Sequence, residues 1–237
     1  MKKHIPNTLT CLNLVCGCLS IMAAMHSNLE FAAICIICSA VFDFCDGFAA
    51  RLLKVSSPIG KELDSLSDVV SFGVAPAMII FQWLTRCLYE LSPDFLNDFT
   101  TLLPYIALLV PALSAVRLAR FNLDDRQTST FIGLPTPANA MFLAFIPMTA
   151  EQLVFLNNFF VVWILVVCFA LLLVSSINMV SLKFKHFTWK GNQEKYILLA
   201  IGAILIPIFR WGAFPIIILA YILISLIYHS LKKMQVI

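Results

Sequence analysis

Eight runs of mostly apolar residues, each close to the length that crosses a bilayer, constrain this chain more than any other feature of it. They fall at about 6–26, 29–53, 61–85, 101–119, 135–153, 158–182, 194–210 and 212–231. A spanning helix needs roughly 20 mostly apolar residues. Inside hydrocarbon every backbone N–H and C=O must be satisfied within the protein, and an unbroken apolar run satisfies its own as a helix. The seventh run, EKYILLAIGAILIPIFR, is the shortest and carries Pro207. Composition agrees: 61% of residues are hydrophobic and 12% charged, against roughly 45–50% and about 25% in soluble domains. The expectation is an all-α fold, a polytopic membrane helix bundle of about eight transmembrane helices in one integral-membrane domain, 1–237. Met1 to His4 lead straight into the first run without a small-residue cleavage site, so no cleavable signal is expected.

The cations fix an orientation. With eight spans and a cytoplasmic N-terminus, the inner side holds Lys2, Lys3, Arg51, Lys54, Lys61, Arg117, Arg120, Arg126, Lys183, Lys185, Lys190, Lys195, Lys232 and Lys233. That is 14 of the 16 Lys and Arg, leaving Arg86 and Arg210 outside. Cytoplasmic loops carry such an excess of positive charge. Both termini are therefore expected in the cytoplasm, and the net charge of +3 reads as a topology signal with no pointer to nucleic acid. The eight cysteines lie almost entirely within apolar runs, and Cys35-Ile-Ile-Cys38 has no second pair at ligand spacing. They read as small buried packing residues. His4, His26, His186 and His229 are scattered near run ends and read as interfacial.

Against this background four carboxylates stand out. Asp43, Asp46, Asp64 and Asp68 fall in the stretch VFDFCDGFAARLLKVSSPIGKELDSLSDVVSFG. Ionisable groups at membrane depth are expensive and tend to face a bundle interior or wet cavity that serves function. On a helix, positions three or four apart share a face. Asp43, Asp46, Gly47 and Ala50 then form one stripe, and Gly60, Asp64 and Asp68, beside Ser67 and Ser71, form another. A short turn through Pro58 makes the two helices antiparallel neighbours, so the stripes can face each other across one cavity. Carboxylate oxygens without His or Cys suit Mg²⁺ or Mn²⁺. Four of them are enough for two ions, which in phosphoryl chemistry clamp a diphosphate.

The small residues Gly47, Ala49, Ala50 and Gly60 leave room beside the acids. Arg51 offers a planar fork for phosphate oxygens, and Ser56 and Ser57 offer hydroxyls. Two plainer readings compete. Arg51, Lys54 and Lys61 can neutralise the acids as interhelical salt bridges, or the acids can form a cation-transporter site. The first explains neither the spacing nor the small residues. The second usually places its acids at mid-membrane, and here they lie at inner helix ends beside a basic loop.

The fixed positions spell D-x-x-D-G-x-x-A-R, eight residues, then G-x-x-x-D-x-x-x-D: Asp43, Asp46, Gly47, Ala50, Arg51, Gly60, Asp64 and Asp68. This resembles the signature of the CDP-alcohol phosphatidyltransferase family, with every fixed position filled. Further stretches, IPNTLTCLNLVCG, GKELDSLSDVVSFGVAPA, RLARFN and FIGLPTPANA, resemble the membrane-integral phosphatidylserine synthase branch of that family. The resemblance implies a six-helix catalytic core at about 1–182, with 183–237 adding two helices. It implies two divalent cations, Mg²⁺ or Mn²⁺, bridged by Asp43 and Asp64, with Asp46 on one and Asp68 on the other. Asp68 is also implied as general base. Gly47, Arg51, Ser57 and Gly60 are implied to meet the CDP-lipid, together with Pro6 to Thr10 at the start of helix one, where Asn7 and Thr8 are the leading polar contacts.

The branch implies transfer of the phosphatidyl group from CDP-diacylglycerol to L-serine, giving phosphatidylserine and CMP, and a homodimer. A free serine hydroxyl is a poor nucleophile near neutral pH, so a positioned base is needed. The cluster offers no Ser-His or Cys-His pair, so direct attack is expected. The acceptor carboxylate calls for a fixed cation, for which Arg117 and Arg120 are the candidates, with Lys61, Ser71 and Asn122 behind them. Two alternatives stay open: another alcohol acceptor in the same family, glycerol 3-phosphate or inositol phosphate, and, more remotely, a cation transporter.

Overall fold

In a computed structural model the chain is described over residues 4–55, 57–91, 97–123, 130–180, 188–189 and 192–234. Ser56, and among the counted cations Lys2, Lys3, Arg126, Lys183, Lys185 and Lys190, lie outside the described residues. The described residues form a membrane helix bundle. Its helices are α1 (His4–Met25), α2 (Leu29–Leu53), α3 (Pro58–Leu91), α4 (Thr100–Leu123), α5 (Thr136–Ala144), α6 (Phe159–Leu173), α7 (Gln193–Phe209) and α8 (Ala213–Met234). The first four, and α7 with α8, are long and apolar enough to cross a membrane.

Helix α1 packs through a small and polar face, as close packing between helices in lipid favours. Along α1 the buried stripe is Pro6, Thr10, Asn13, Gly17, Ser20 and Ala24, while Leu12, Val15, Leu19 and Met22 face outward. Ser39 Oγ of α2 and Ser71 Oγ of α3 both donate to the Asn13 carbonyl, each at 3.0 Å. A Cβ on Gly17 would lie 2.8 Å from the Ser71 Cα, so this glycine sets how closely α1 and α3 cross.

Helix ends follow local chemistry. Asn28 caps α2 by accepting from the Phe31 N–H. Lys54, in the left-handed region at φ 52°, ends α2. Ser57 accepts from the Gly60 N–H and Pro58 occupies the first turn of α3. Within α3 the turn widens to a π-helix at Val69–Val74, directly after Asp68. Such wide turns are frequent at functional sites.

The sixth apolar run departs from the expected 158–182 helix. Helix α6 stops at Leu173, and Asn178–Val180 forms a strand, β2, antiparallel to β1 (Thr130–Ile132). Gly133 follows at φ +77°, and a Cβ there would lie 2.5 Å from the Leu173 carbonyl oxygen. Its N–H donates to Ile177 (2.8 Å) and that of Leu134 to Leu172 (3.0 Å). Helix α8 clasps the ribbon: Tyr221 donates to the Val180 carbonyl (2.9 Å), and the Val180 N–H donates to Ser225 Oγ (3.2 Å). The ribbon thereby fixes the start of α5. The fifth run is also shorter than 135–153: α5 breaks at Phe145, and one turn, Ile146–Thr149, continues it. All of Ile146–Thr149 is buried, so this is an internal helix enclosed by its neighbours. The apolar core gathers around Trp83, Phe142, Phe159 and Phe169, with a second cluster around Ile36, Phe72 and Phe145.

Candidate active site

The C-terminal end of α2 and the N-terminal part of α3 bring the acids together. One carboxylate oxygen from each of Asp43, Asp64 and Asp68 lies within 4.8 Å of the other two. Asp68 is buried, and its Oδ1 accepts from Asn13 Nδ2 at 3.3 Å. Asp46 stands beside this trio, 6% exposed, its Oδ2 accepting from Thr10 Oγ1 at 2.6 Å. Asp64 Oδ1 is buried without a hydrogen-bond partner among the described residues. Asp46, Asp64 and Asp68 make no ion pair among the described residues. The Lys61 ammonium instead donates to the Asn122 carbonyl (3.0 Å), and Arg51 and Lys54 are exposed. The salt-bridge reading therefore fails for those three acids. Desolvated carboxylates held together without cations are costly, and a hard divalent cation is what this all-oxygen donor set fits.

Beside the acids lies a cavity of about 270 Å³ lined by Pro6, Asn7, Thr10, Asp46, Gly47, Ala50, Val55, Ser57, Gly60, Lys61 and Asp64. Asp64 belongs to both the acid trio and this lining. The glycines act differently. A Cβ on Gly60 would sit 3.0 Å from Ser57 Oγ and 3.1 Å from Asn7 Oδ1, so its absence lets α1 approach the start of α3. A Cβ on Gly47 would meet nothing within 4 Å, so its absence leaves the cavity open.

Of the sequence-based candidates for the CDP-lipid, Pro6, Asn7, Gly47, Ser57 and Gly60 line the cavity. Thr8 and Arg51 do not: Thr8 is exposed, its hydroxyl donating to the His4 carbonyl (2.8 Å), and Arg51 is exposed. Thr10, at the end of the expected Pro6 to Thr10 segment, touches Asp46, and Asn13, one turn beyond it, touches Asp68. Their signal was present in α1 as polar residues three apart on the Pro6–Gly17 stripe.

The acceptor candidates separate. Arg117 is 8% exposed, its Nη1 donates to Thr136 Oγ1 (3.1 Å), and its Nε has no hydrogen-bond partner among the described residues. Arg120 is exposed and reaches the Val174 carbonyl at 3.4 Å. Ser71 is committed to Asn13, and Asn122 Nδ2 donates to Ser65 Oγ (2.7 Å). Arg117 is thus the cation turned into the bundle.

The CDP-alcohol phosphatidyltransferase family model matches residues 3–175. Among curated relatives, the chain is 34% identical over 151 residues to the CDP-diacylglycerol–serine O-phosphatidyltransferase of Bacillus subtilis (strain 168), covering 62% of this chain and 77% of that protein. It is 30% identical over 200 residues to the enzyme of the same name from Helicobacter pylori (strain ATCC 700392 / 26695), covering 83% and 78%. It is 35% identical over 147 residues to the archaetidylserine synthase of Methanothermobacter thermautotrophicus, covering 59% and 56%.

Proposed function

Because the chain belongs to the CDP-alcohol phosphatidyltransferase family, we propose that it transfers the phosphatidyl group of CDP-diacylglycerol to the hydroxyl of L-serine, giving phosphatidylserine and CMP. The observation that carries this reading is the acid trio Asp43, Asp64 and Asp68, which shares Asp64 with the lining of the adjacent cavity. The names of the relatives support serine as acceptor, whether their lipid product is phosphatidylserine or archaetidylserine. We assign Mg²⁺ or Mn²⁺ to Asp43, Asp46, Asp64 and Asp68; when bound, such ions supply charge neutralisation of the diphosphate.

The chain's own residues do the rest. Gly47 gives the CDP-lipid headgroup access to the backbone, Gly60 lets Asn7 and Ser57 close on the same cavity, and Asn7, Thr10 and Ser57 offer polar contacts around it. Arg117 holds the serine carboxylate by charge-assisted hydrogen bonds. Asp68, oriented by Asn13, accepts the serine hydroxyl proton as the oxygen attacks the phosphorus bearing diacylglycerol. The phosphorus–oxygen bond to CMP breaks, and no covalent enzyme intermediate is needed. The Lys and Arg tally supports a cytoplasmic acid end. The homodimer, and the division into a core at about 1–182 and two added helices, are part of the same proposal and follow from the family resemblance.

The test is an acceptor screen with purified protein, CDP-diacylglycerol, Mg²⁺ or Mn²⁺, and one alcohol at a time, reading CMP release. L-Serine is expected to support turnover. Release with glycerol 3-phosphate or inositol phosphate and none with serine overturns the acceptor assignment.

A further inference from the structure

Arg117 leaves half of a zwitterionic acceptor unread. Serine carries an ammonium as well as a carboxylate, and a guanidinium repels the former. The interior around Arg117 holds other polar groups that the fold does not use. Ser114 and Arg117 lie one turn apart on one face of α4; Thr136 and Asn139 do so on α5. Ser114, Thr136 and Asn139 are each 0% exposed. Of these groups, the bond recorded is Arg117 to Thr136. Both polar atoms of the Asn139 amide, Ser114 Oγ and Arg117 Nε lack a hydrogen-bond partner among the described residues. Buried polar groups in native proteins are nearly always paired, and an orphan calls for an explanation. Four of the eight such atoms among the described residues lie on these two helices, which the Arg117–Thr136 bond joins. The π-helical turn that follows Asp68 abuts the same face: a Cβ on Gly73 would lie 3.3 Å from the Ser114 Cβ.

We infer that Asn139 is a specificity-determining residue that binds the acceptor's ammonium through its Oδ1, while Arg117 Nε donates to the carboxylate. The inference rests on the amino-acid acceptor reading above. One guanidinium beside a neutral amide matches a zwitterion. A phosphorylated alcohol would call for further cations, and an amide oxygen would face its anionic oxygens.

The experiment measures CMP release by purified wild-type protein and by Asn139→Ala and Asn139→Leu variants, with serine and CDP-diacylglycerol varied separately. The expected result is a serine KM raised about 10-fold, the loss of one hydrogen bond to a charged group. The KM for CDP-diacylglycerol stays within about twofold on the same basis. The Tm of Asn139→Leu is unchanged or higher, because no side-chain hydrogen bond among the described residues is lost. A second readout uses serine analogues. Wild-type protein should favour serine over 3-hydroxypropanoate, which lacks the ammonium, and Asn139→Ala should lose that preference. Arg117→Lys should instead weaken discrimination against ethanolamine, which lacks the carboxylate. An unmoved serine KM overturns the inference. So does a fall in Tm with both KM values rising together, which marks a structural residue. If the acceptor screen returns an alcohol without an amino group, the serine reading fails by itself. If serine is the acceptor and Asn139→Ala leaves its KM unmoved, Asn139 alone fails.

Discussion

The two ends of the bundle both hold cavities, and they differ in the opposite sense from their sizes. The acid end encloses about 270 Å³ beside desolvated carboxylates. The far end encloses about 960 Å³, lined by Asn28, Glu30, Arg86, Glu151, Gln152 and Arg210 among others. Arg86 and Arg210, the two cations that fell outside the charge tally, both line the larger cavity. The charged side chains there are exposed. Arg86 and Glu90 pair at 2.9 Å with side chains 65% and 56% exposed, and the Arg86 guanidinium lies 5.3 Å from the Trp83 ring centroid. At the acid end, Asp46 and Asp68 are buried and Asp64 Oδ1 has no hydrogen-bond partner among the described residues. Water stabilises an exposed ion pair almost as well apart as together. Buried carboxylates without cations either take up protons or need a cation brought to them. Unmet polarity, more than volume, distinguishes the candidate site from the far cavity.

The largest expected effect breaks the acid end. Asp68→Asn keeps the shape of the side chain while removing a proton acceptor and a carboxylate. CMP release should fall by at least about 100-fold, the scale of a lost general base. Glu30→Gln, the matching change in the far cavity, should leave the rate unaltered. Wild-type turnover in Asp68→Asn removes the base assignment, and equal losses in both variants remove the distinction between the two ends.

Two glycines sharpen the comparison through stability. Gly17→Ala forces a methyl against Ser71, 2.8 Å from its Cα, where α1 supports Asn13 and Asp68. Overpacking of this kind costs about 1–3 kcal/mol, read as a lower Tm together with weaker turnover. Gly47→Leu meets open space and should leave Tm near wild type while raising the KM for CDP-diacylglycerol. The reverse pattern would mean that Gly47 packs the fold and the cavity does not receive the lipid headgroup.

Why the sequence revealed some of this and hid the rest is physical. Asp43, Asp46, Asp64 and Asp68 were legible because a charge in an apolar run is rare and three- and four-residue spacing survives any helix packing. The helices were legible because backbone satisfaction in lipid is a local rule. The phase of α1 was not: its outward face is apolar and its inward face small and polar, so Thr8 and Thr10 look alike until packing chooses Thr10. Arg117 and Arg120 share a spacing of three, yet one is buried against Thr136 and the other reaches Val174 at the surface. Asn178 to Val180 falls in a run that reads as one apolar helix, whereas the structure pairs it with Thr130–Ile132, a partner far away in sequence. Asn139 sits in FIGLPTPANA with nothing local to mark it; only the burial of an unpaired amide does.

The smallest expected effect lies at the far end. An exposed i,i+4 pair such as Arg86–Glu90 contributes about 0.3–0.5 kcal/mol in helices, and less in salt. The coupling between Arg86→Ala and Glu90→Ala should therefore be less than about 0.5 kcal/mol in stability, with KM and turnover unchanged in either variant. A double-mutant cycle isolates the pair from the stacking of Arg86 on Trp83, because only the coupling between the two changes belongs to the ion pair. A coupling near zero leaves the far cavity as solvated surface. A large coupling, or a change in CMP release, would show that charge at this end is desolvated in the membrane, and the contrast between the two ends would fail.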